Sequence, residues 1–198
     1  MIKVGLTGGA ASGKTTVCAC FRKMGVPVSI ADELARDAVA PGSKGFSEVV
    51  DHFGPGVVAA DGGLDRAALR QRLVSNSEER SVLESIVQPR VIQLMADFLG
   101  DAMYNGEPVA VCEVPLLFEL DLAHMFDVTV HVGVDRSTQL ARLTARDGVT
   151  QASAEALLSL QFSDEKKRGL AHYVIENSGT LDQLENRFHE VFEKIVKK

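Results

Sequence analysis

Five short apolar runs rich in valine and isoleucine constrain this 198-residue chain most: 2–6 (IKVGL), 26–30 (VPVSI), 109–114 (VAVCEV), 128–134 (VTVHVGV) and 173–176 (YVIE). Segments of helical period separate them, and that alternation predicts an α/β chain with a five-stranded parallel sheet and helices on both faces. Sheets of this kind bind ligands beyond the carboxyl ends of their strands, so the site is expected where the runs stop.

Two interruptions break the alternation. Between the second and third runs the sequence carries helix-like stretches near 33–40, 45–53, 65–74 and 78–103, too much chain for one crossover, and so a helical insertion. After the fourth run, residues 135–169 read as two helices joined by the turn signal Asp147-Gly148, and this second insert is dense in cations. A closing helix over about 180–197 ends in Lys197-Lys198, which suits the negative end of a helix. Length and 45% apolar content fit one domain with attachments. Its expected parts are a core at about 1–32, 107–136 and 170–198, an insertion at about 33–106 and a lid at about 137–169.

Composition excludes some function classes. A net charge of −6 gives no global positive field, so no nucleic-acid partner is expected. No apolar run approaches a membrane span and the first residues lack signal-peptide character, which reads as a soluble, cytoplasmic chain without a membrane partner. Cys18, Cys20 and Cys112 lack zinc-type pairing and read as small buried apolar residues.

The first run leads into GLTGGAASGKTTV, where Gly8, Gly13, Lys14 and Thr15 match G-x-x-x-x-G-K-[ST] between a predicted strand and a predicted helix. Glycines let successive N–H groups turn toward phosphate oxygens, and the following helix adds its positive end. A nucleoside triphosphate, ATP, is therefore expected on Gly9, Ala10, Ala11, Ser12, Gly13, Lys14, Thr15 and Thr16, with Lys14 on the β- and γ-phosphates and the Thr15 hydroxyl on Mg²⁺. Ala11 is expected at negative φ, because a left-handed backbone costs a residue with a Cβ.

Other residues point from triphosphate binding to transfer. Asp32, just after the second run, is placed to orient an acceptor hydroxyl and accept its proton, a role compatible with capping a helix that begins at Glu33. Gln139, Arg142 and Arg146 share one helix face, as a lid closing on phosphates requires; Leu140 and Leu143 occupy another. Lys166, Lys167 and Arg168 are expected to face solvent. Glu113 is a candidate holder of a magnesium-bound water, and Pro115-Leu116-Leu117 offer an apolar wall at the substrate. Arg66 is either a ligand for substrate phosphates or an ion-pair partner of Asp65.

Taken in order, GLTGGAASGKTTV, ADELAR, GGLDRAALRQRLVSN, PLLFE, TQLARLTARD and VIENSG resemble the dephospho-coenzyme A kinase family nearly end to end. The resemblance implies a P-loop kinase fold with a helical substrate-binding part and a lid. It also implies transfer of the γ-phosphoryl group of ATP to the ribose 3′-hydroxyl of dephospho-coenzyme A, the last step of coenzyme A synthesis. On that likeness Asp32 is the base and Asn177 lies near the adenine. The chain departs from the family pattern at Ala11, Ile30, Gln88 and His172, where Gly, Asp, His and Asp are common. A nucleoside monophosphate kinase and a non-catalytic ATP-dependent switch are the competing readings. The oligomeric state is left open, a monomer being compatible with every feature.

Overall fold

In a computed structural model, which describes residues 1–74 and 76–197, all five runs form strands. They are β1 (Ile2–Gly8), β2 (Val28–Ile30), β3 (Val109–Glu113), β4 (Val128–Gly133) and β5 (Tyr173–Glu176), in the order β2-β3-β1-β4-β5. β1 pairs in parallel with β3 and with β4, Val4 standing opposite Val111 on one side and Val128 on the other; β4 and β5 are also parallel. The second run, expected from 26, becomes a strand only at Val28, because Pro27 has no N–H to give; its carbonyl still accepts from Val111 N.

The chain divides into two compact units, one of Met1–Ser29 with the residues from Asp101 onward, the other Ile30–Gly100. In the first unit, period-2 alternation sorts the central strands. Val4, Leu6, Val128, Val130 and Val132 meet Val17 and Phe21 of α1 (Lys14–Lys23) and Leu184 and Phe188 of the closing helix in one apolar cluster. The rings of Phe21 and Phe188 pack edge to face at 4.8 Å. The intervening residues of β4, Thr129 and His131, are as deeply buried but polar, and His131 Nε2 lies 2.8 Å from Asp164 Oδ1. His172 also reaches β4, its Nδ1 accepting from Thr129 N at 3.0 Å. Burial pushes the Cys112 thiol up to about 12, and Cys18 and Cys20 are buried thiols as well.

The second unit holds α2 (Ala31–Asp37), α3 (Lys44–Phe53), α4 (Arg66–Val74) and most of α5 (Ser77–Tyr104). Its own apolar cluster joins Val39, Val49, Phe53, Val57, Leu69 and Ile86. Asp65 caps α4, accepting from Ala67 N and Ala68 N, so its carboxylate serves a helix terminus.

The insert after β4 differs from expectation by one helix. α6 (Arg136–Asp147) ends at Gly148, whose φ of 64° supplies the left-handed stop, and α7 (Gln151–Ser159) follows. A third, short helix, α8 (Asp164–Leu170), begins at Ser163, whose hydroxyl accepts from Lys166 N. The last helix is α9 (Leu181–Val196), started by a capping box of Thr180 and Gln183; Lys198 lies outside the described residues.

Candidate active site

The loop between β1 and α1 is the centre of the site in the first unit. Gly13 takes φ 95° at the N-terminus of α1, and a Cβ there would stand 2.0 Å from Asn177 Nδ2, so both backbone and neighbour require glycine. Ala11 takes φ 57°, contrary to the negative value expected. The loop demands a left-handed residue at this point, and the strain of about 1–2 kcal/mol is offset in part by packing. Ala10 and Ala11 both lie against the small apolar cluster of Leu143, Ala154 and Leu158.

Lys14 Nζ donates to Gly8 O at 3.1 Å and Gly9 O at 3.2 Å and lies 3.6 Å from Glu113 Oε1. Glu113 is the last residue of β3, buried, with its carboxylate toward the loop lysine. Ala11, Gly13, Lys14 and Thr15 line a cavity of about 310 Å³ together with Arg142 and Arg146 of α6. The loop and the cationic helix face thus meet. Thr15 is exposed there, while Thr16 N donates to Gly13 O in the first turn of α1. Two buried polar atoms at this place, Ser12 Oγ and Arg142 Nη1, have no partner among the described residues. A cation left unsatisfied in the protein alone is suited to an incoming anion. Arg146, by contrast, is 61% exposed and paired with Asp147, 2.7 Å from its Oδ1.

Asn177 comes to the loop as a backbone partner. It is only 7% exposed, and its Nδ2 donates to Ser12 O at 2.7 Å, so this amide nitrogen braces the loop backbone. The basic cluster of α8 departs from expectation, Lys166 alone facing solvent. Lys167 is 0% exposed, paired with Glu119 at 2.9 Å and donating to Pro115 O at 2.8 Å. Arg168 binds both Asp164 and Glu176. Burial raises the Asp164 carboxyl, but hydrogen bonds from His131 and Arg168 outweigh it and hold the group below its ordinary range; Arg168 does the same for Glu176. These partners lie 4 to 52 residues away in the chain, and only the i,i+4 pair of Asp164 and Arg168 has a spacing that the sequence itself displays.

In the second unit, Asp32 does not cap α2. The helix begins at Ala31 and is preceded by Ile30 with no side-chain cap, leaving the Asp32 carboxylate exposed in the first turn. Ala35, one turn along the same helix face, lines a cavity of about 460 Å³ with Arg66, Arg70 and Arg80 and with Leu64, Leu69, Leu73, Leu83, Val39 and Val87. Arg66 therefore stands among arginines and apolar groups. Leu116 is half-buried on the turn after β3 in the first unit, next to the fully buried Leu117. Among the described residues no group of three or more His, Cys, Asp or Glu could hold a metal ion, and no helix is long and apolar enough to cross a membrane.

The sheet order and a lysine-bearing phosphate loop beside a helical lid place the chain in the class of P-loop kinases. Its fold is similar to that of a Thermus thermophilus protein in a crystal structure, with TM-score 0.81, 33% identity and coverage of 98% of this chain and 97% of that one. It also resembles the fold of a dephospho-CoA kinase from Campylobacter jejuni, with TM-score 0.76, 20% identity and coverage of 98% and 97%. The profile of the family described as Dephospho-CoA kinase matches residues 2–183. A dephospho-CoA kinase of Geobacter sulfurreducens is 40% identical over 191 residues, 96% of this chain and 97% of the relative. One of Geobacillus kaustophilus is 41% identical over 182 residues, 92% and 90%. The chain belongs to the dephospho-CoA kinase family.

Proposed function

We propose that the residues described above divide as follows the work of the ATP-dependent phosphorylation of dephospho-CoA, the final step of coenzyme A synthesis, which this chain catalyses. The observation that carries the reading is Arg142 Nη1, buried without a partner among the described residues, on a residue that lines one cavity with Lys14 and the phosphate loop. ATP lays its phosphates along residues 9 to 16, where backbone N–H groups and the N-terminus of α1 favour negative charge. Lys14 leaves the Gly8 and Gly9 carbonyls for phosphate oxygens. Arg142, and Arg146 once it parts from Asp147, meet the charge that spreads over the transferred group.

The Thr15 hydroxyl, exposed at the cavity, would hold Mg²⁺. One hydroxyl suffices because this hard cation takes its remaining ligands from phosphates and water, which fits a site without a carboxylate cluster. When bound, the ion neutralises phosphate charge.

The acceptor uses the second unit. Arg66, with Arg70 and Arg80, takes its phosphates, and the apolar walls of the 460 Å³ cavity take the pantetheine arm. Asp32 receives the ribose 3′-hydroxyl and orients it, its proton leaving late in a loose transition state. Leu116 contributes an apolar surface at the substrate. The reaction belongs in the cytoplasm, where ATP is supplied.

An assay of ADP release with a panel of acceptors tests the reading. ADP should form only with Mg²⁺ and dephospho-CoA together, and CoA should be the product. Equal rates with adenosine or AMP would contradict it.

A further inference from the structure

Two lid glutamines grip the backbone of one phosphate-loop residue, Ala10, one at its carbonyl and the other at its N–H. Gln139 Nε2 donates to Ala10 O at 2.8 Å, and Ala10 N–H donates to Gln161 Oε1 at 3.1 Å. The polarity is forced, since a backbone carbonyl only accepts and a backbone N–H only donates. Gln139 is 6% exposed, and the approach is so close that a Cβ on Gly9 would stand 2.3 Å from its Nε2.

Gln161 stands on the connection between α7 and α8, and a buried circuit fixes that connection. The next residue, Phe162, donates its N–H to Glu119 Oε1 at 2.8 Å, and Glu119 is paired with the wholly buried Lys167. Lys167 donates to Pro115 O, which also accepts from Thr7 Oγ1 at 3.2 Å. Thr7 belongs to β1, the strand that runs into the loop. The chain of contacts therefore leaves the loop through β1 and returns to it at Ala10.

We propose that Gln139 and Gln161 are positioning residues of the phosphoryl transfer. As a clasp on the two peptide groups that flank the Ala10 Cα they hold the N–H groups of the following residues in the orientation the transition state needs, and Glu119 with Lys167 holds Gln161. The clasp lies immediately before Ala11, the strained residue of the loop, and is the point where the lid and loop backbones are joined by side chains of known polarity. Preorganised donors act more strongly in the transition state than in the ground state, so losing the clasp lowers kcat. The proposal rests on the phosphorylation reading given above.

The polarity of the two bonds supplies the test. Four variants are assayed for kcat, with folding checked by circular dichroism and thermal midpoint: Gln161→Glu, Gln139→Glu, Gln139→Lys and Gln161→Lys. Glutamate keeps an acceptor and lysine keeps a donor. Gln161→Glu should therefore exceed Gln139→Glu about tenfold, and Gln139→Lys should exceed Gln161→Lys about tenfold. Each comparison holds the added charge constant and inverts it between pairs. Equal rates within both pairs, or a ranking by charge alone, would overturn the clasp. If one pair fails to fold, the other decides. If neither folds, Gln139→Met and Gln161→Met should each lower kcat about tenfold with the double variant no worse, whereas additive losses would overturn the proposal. The wild-type protein in the same assay separates the two readings: no CoA from it contradicts the function, and turnover with unranked variants contradicts the clasp.

Discussion

Two cavities lined by more than one arginine, the phosphate-loop cavity of the first unit and the apolar cavity of the second, are built by opposite means. The first, about 310 Å³, is lined by Ala11, Gly13, Lys14 and Thr15 of the phosphate loop, and its arginines come from a single helix. The second, about 460 Å³, sets Arg66, Arg70 and Arg80 among leucine, valine and alanine side chains from several segments. A glycine-bearing loop at a helix N-terminus with a lysine and two arginines suits a compact polyanion, which needs charge and direction. Apolar walls with scattered guanidiniums suit a long molecule that is greasy in one part and anionic in another. On this account the first cavity holds the triphosphate and the second selects the acceptor, Asp32 of the second unit being the one residue there assigned to the chemistry, and variants of the two cavity linings should separate along that line.

The largest expected effect belongs to Asp32→Asn, with kcat lower by about 10²–10⁴-fold. Because Asp32 makes no cap bond, the thermal midpoint should stay near wild type, the helix-dipole contribution of an exposed group being about 0.3–1 kcal/mol. Nearly full turnover would remove Asp32 from the chemistry. Lys14→Ala should lower kcat by about 10²–10³-fold, and here stability falls too, since Glu113 is buried 3.6 Å from that ammonium. Arg142→Ala should cost about 10²-fold in kcat with a smaller change in KM for ATP and no loss of thermal midpoint, because Nη1 has no partner to lose among the described residues. A raised KM with unchanged kcat would make Arg142 a uniform binding contact.

The smallest effect should appear away from both cavities. Asp164 and Glu176 have carboxyls held below their ordinary range, so their pairing stabilises the fold at neutral pH and is lost as pH falls through the depressed values. Arg168→Gln should lower the midpoint at pH 7 by roughly 2–4 °C, an effect of about 1 kcal/mol discounted for partial exposure. The gap between variant and wild type should narrow below about pH 4, as the carboxylates protonate. A gap that widens on the acid side would show the ion pairs to be unimportant.

The same division explains what the sequence made legible. Strands and most helices announced themselves by period, and the loop by glycines whose spacing a phosphate imposes. Gln139, Arg142 and Arg146 shared a face that could be counted. Lys167 could not be read, because its burial depends on Glu119 and Pro115, 48 and 52 residues earlier. Gln161 carried no pattern either, its meaning arising only where the α7–α8 connection meets Ala10. Ala11 misled for an energetic reason: its backbone strain is visible in sequence, while the lid cluster that compensates it is assembled from residues 140–158. Likewise Asp32 reads as a cap by type, and only the start of α2 one residue earlier shows that it is not.

Calorimetric titration of dephospho-CoA and of a non-hydrolysable ATP analogue into wild type, Arg70→Ala and Lys14→Ala tests the division of labour most directly. Arg70→Ala should weaken dephospho-CoA by about tenfold or more while leaving the analogue unchanged, and Lys14→Ala should do the reverse. Loss of the analogue from Arg70→Ala, with unaltered affinity for dephospho-CoA, would contradict the assignment of the two cavities.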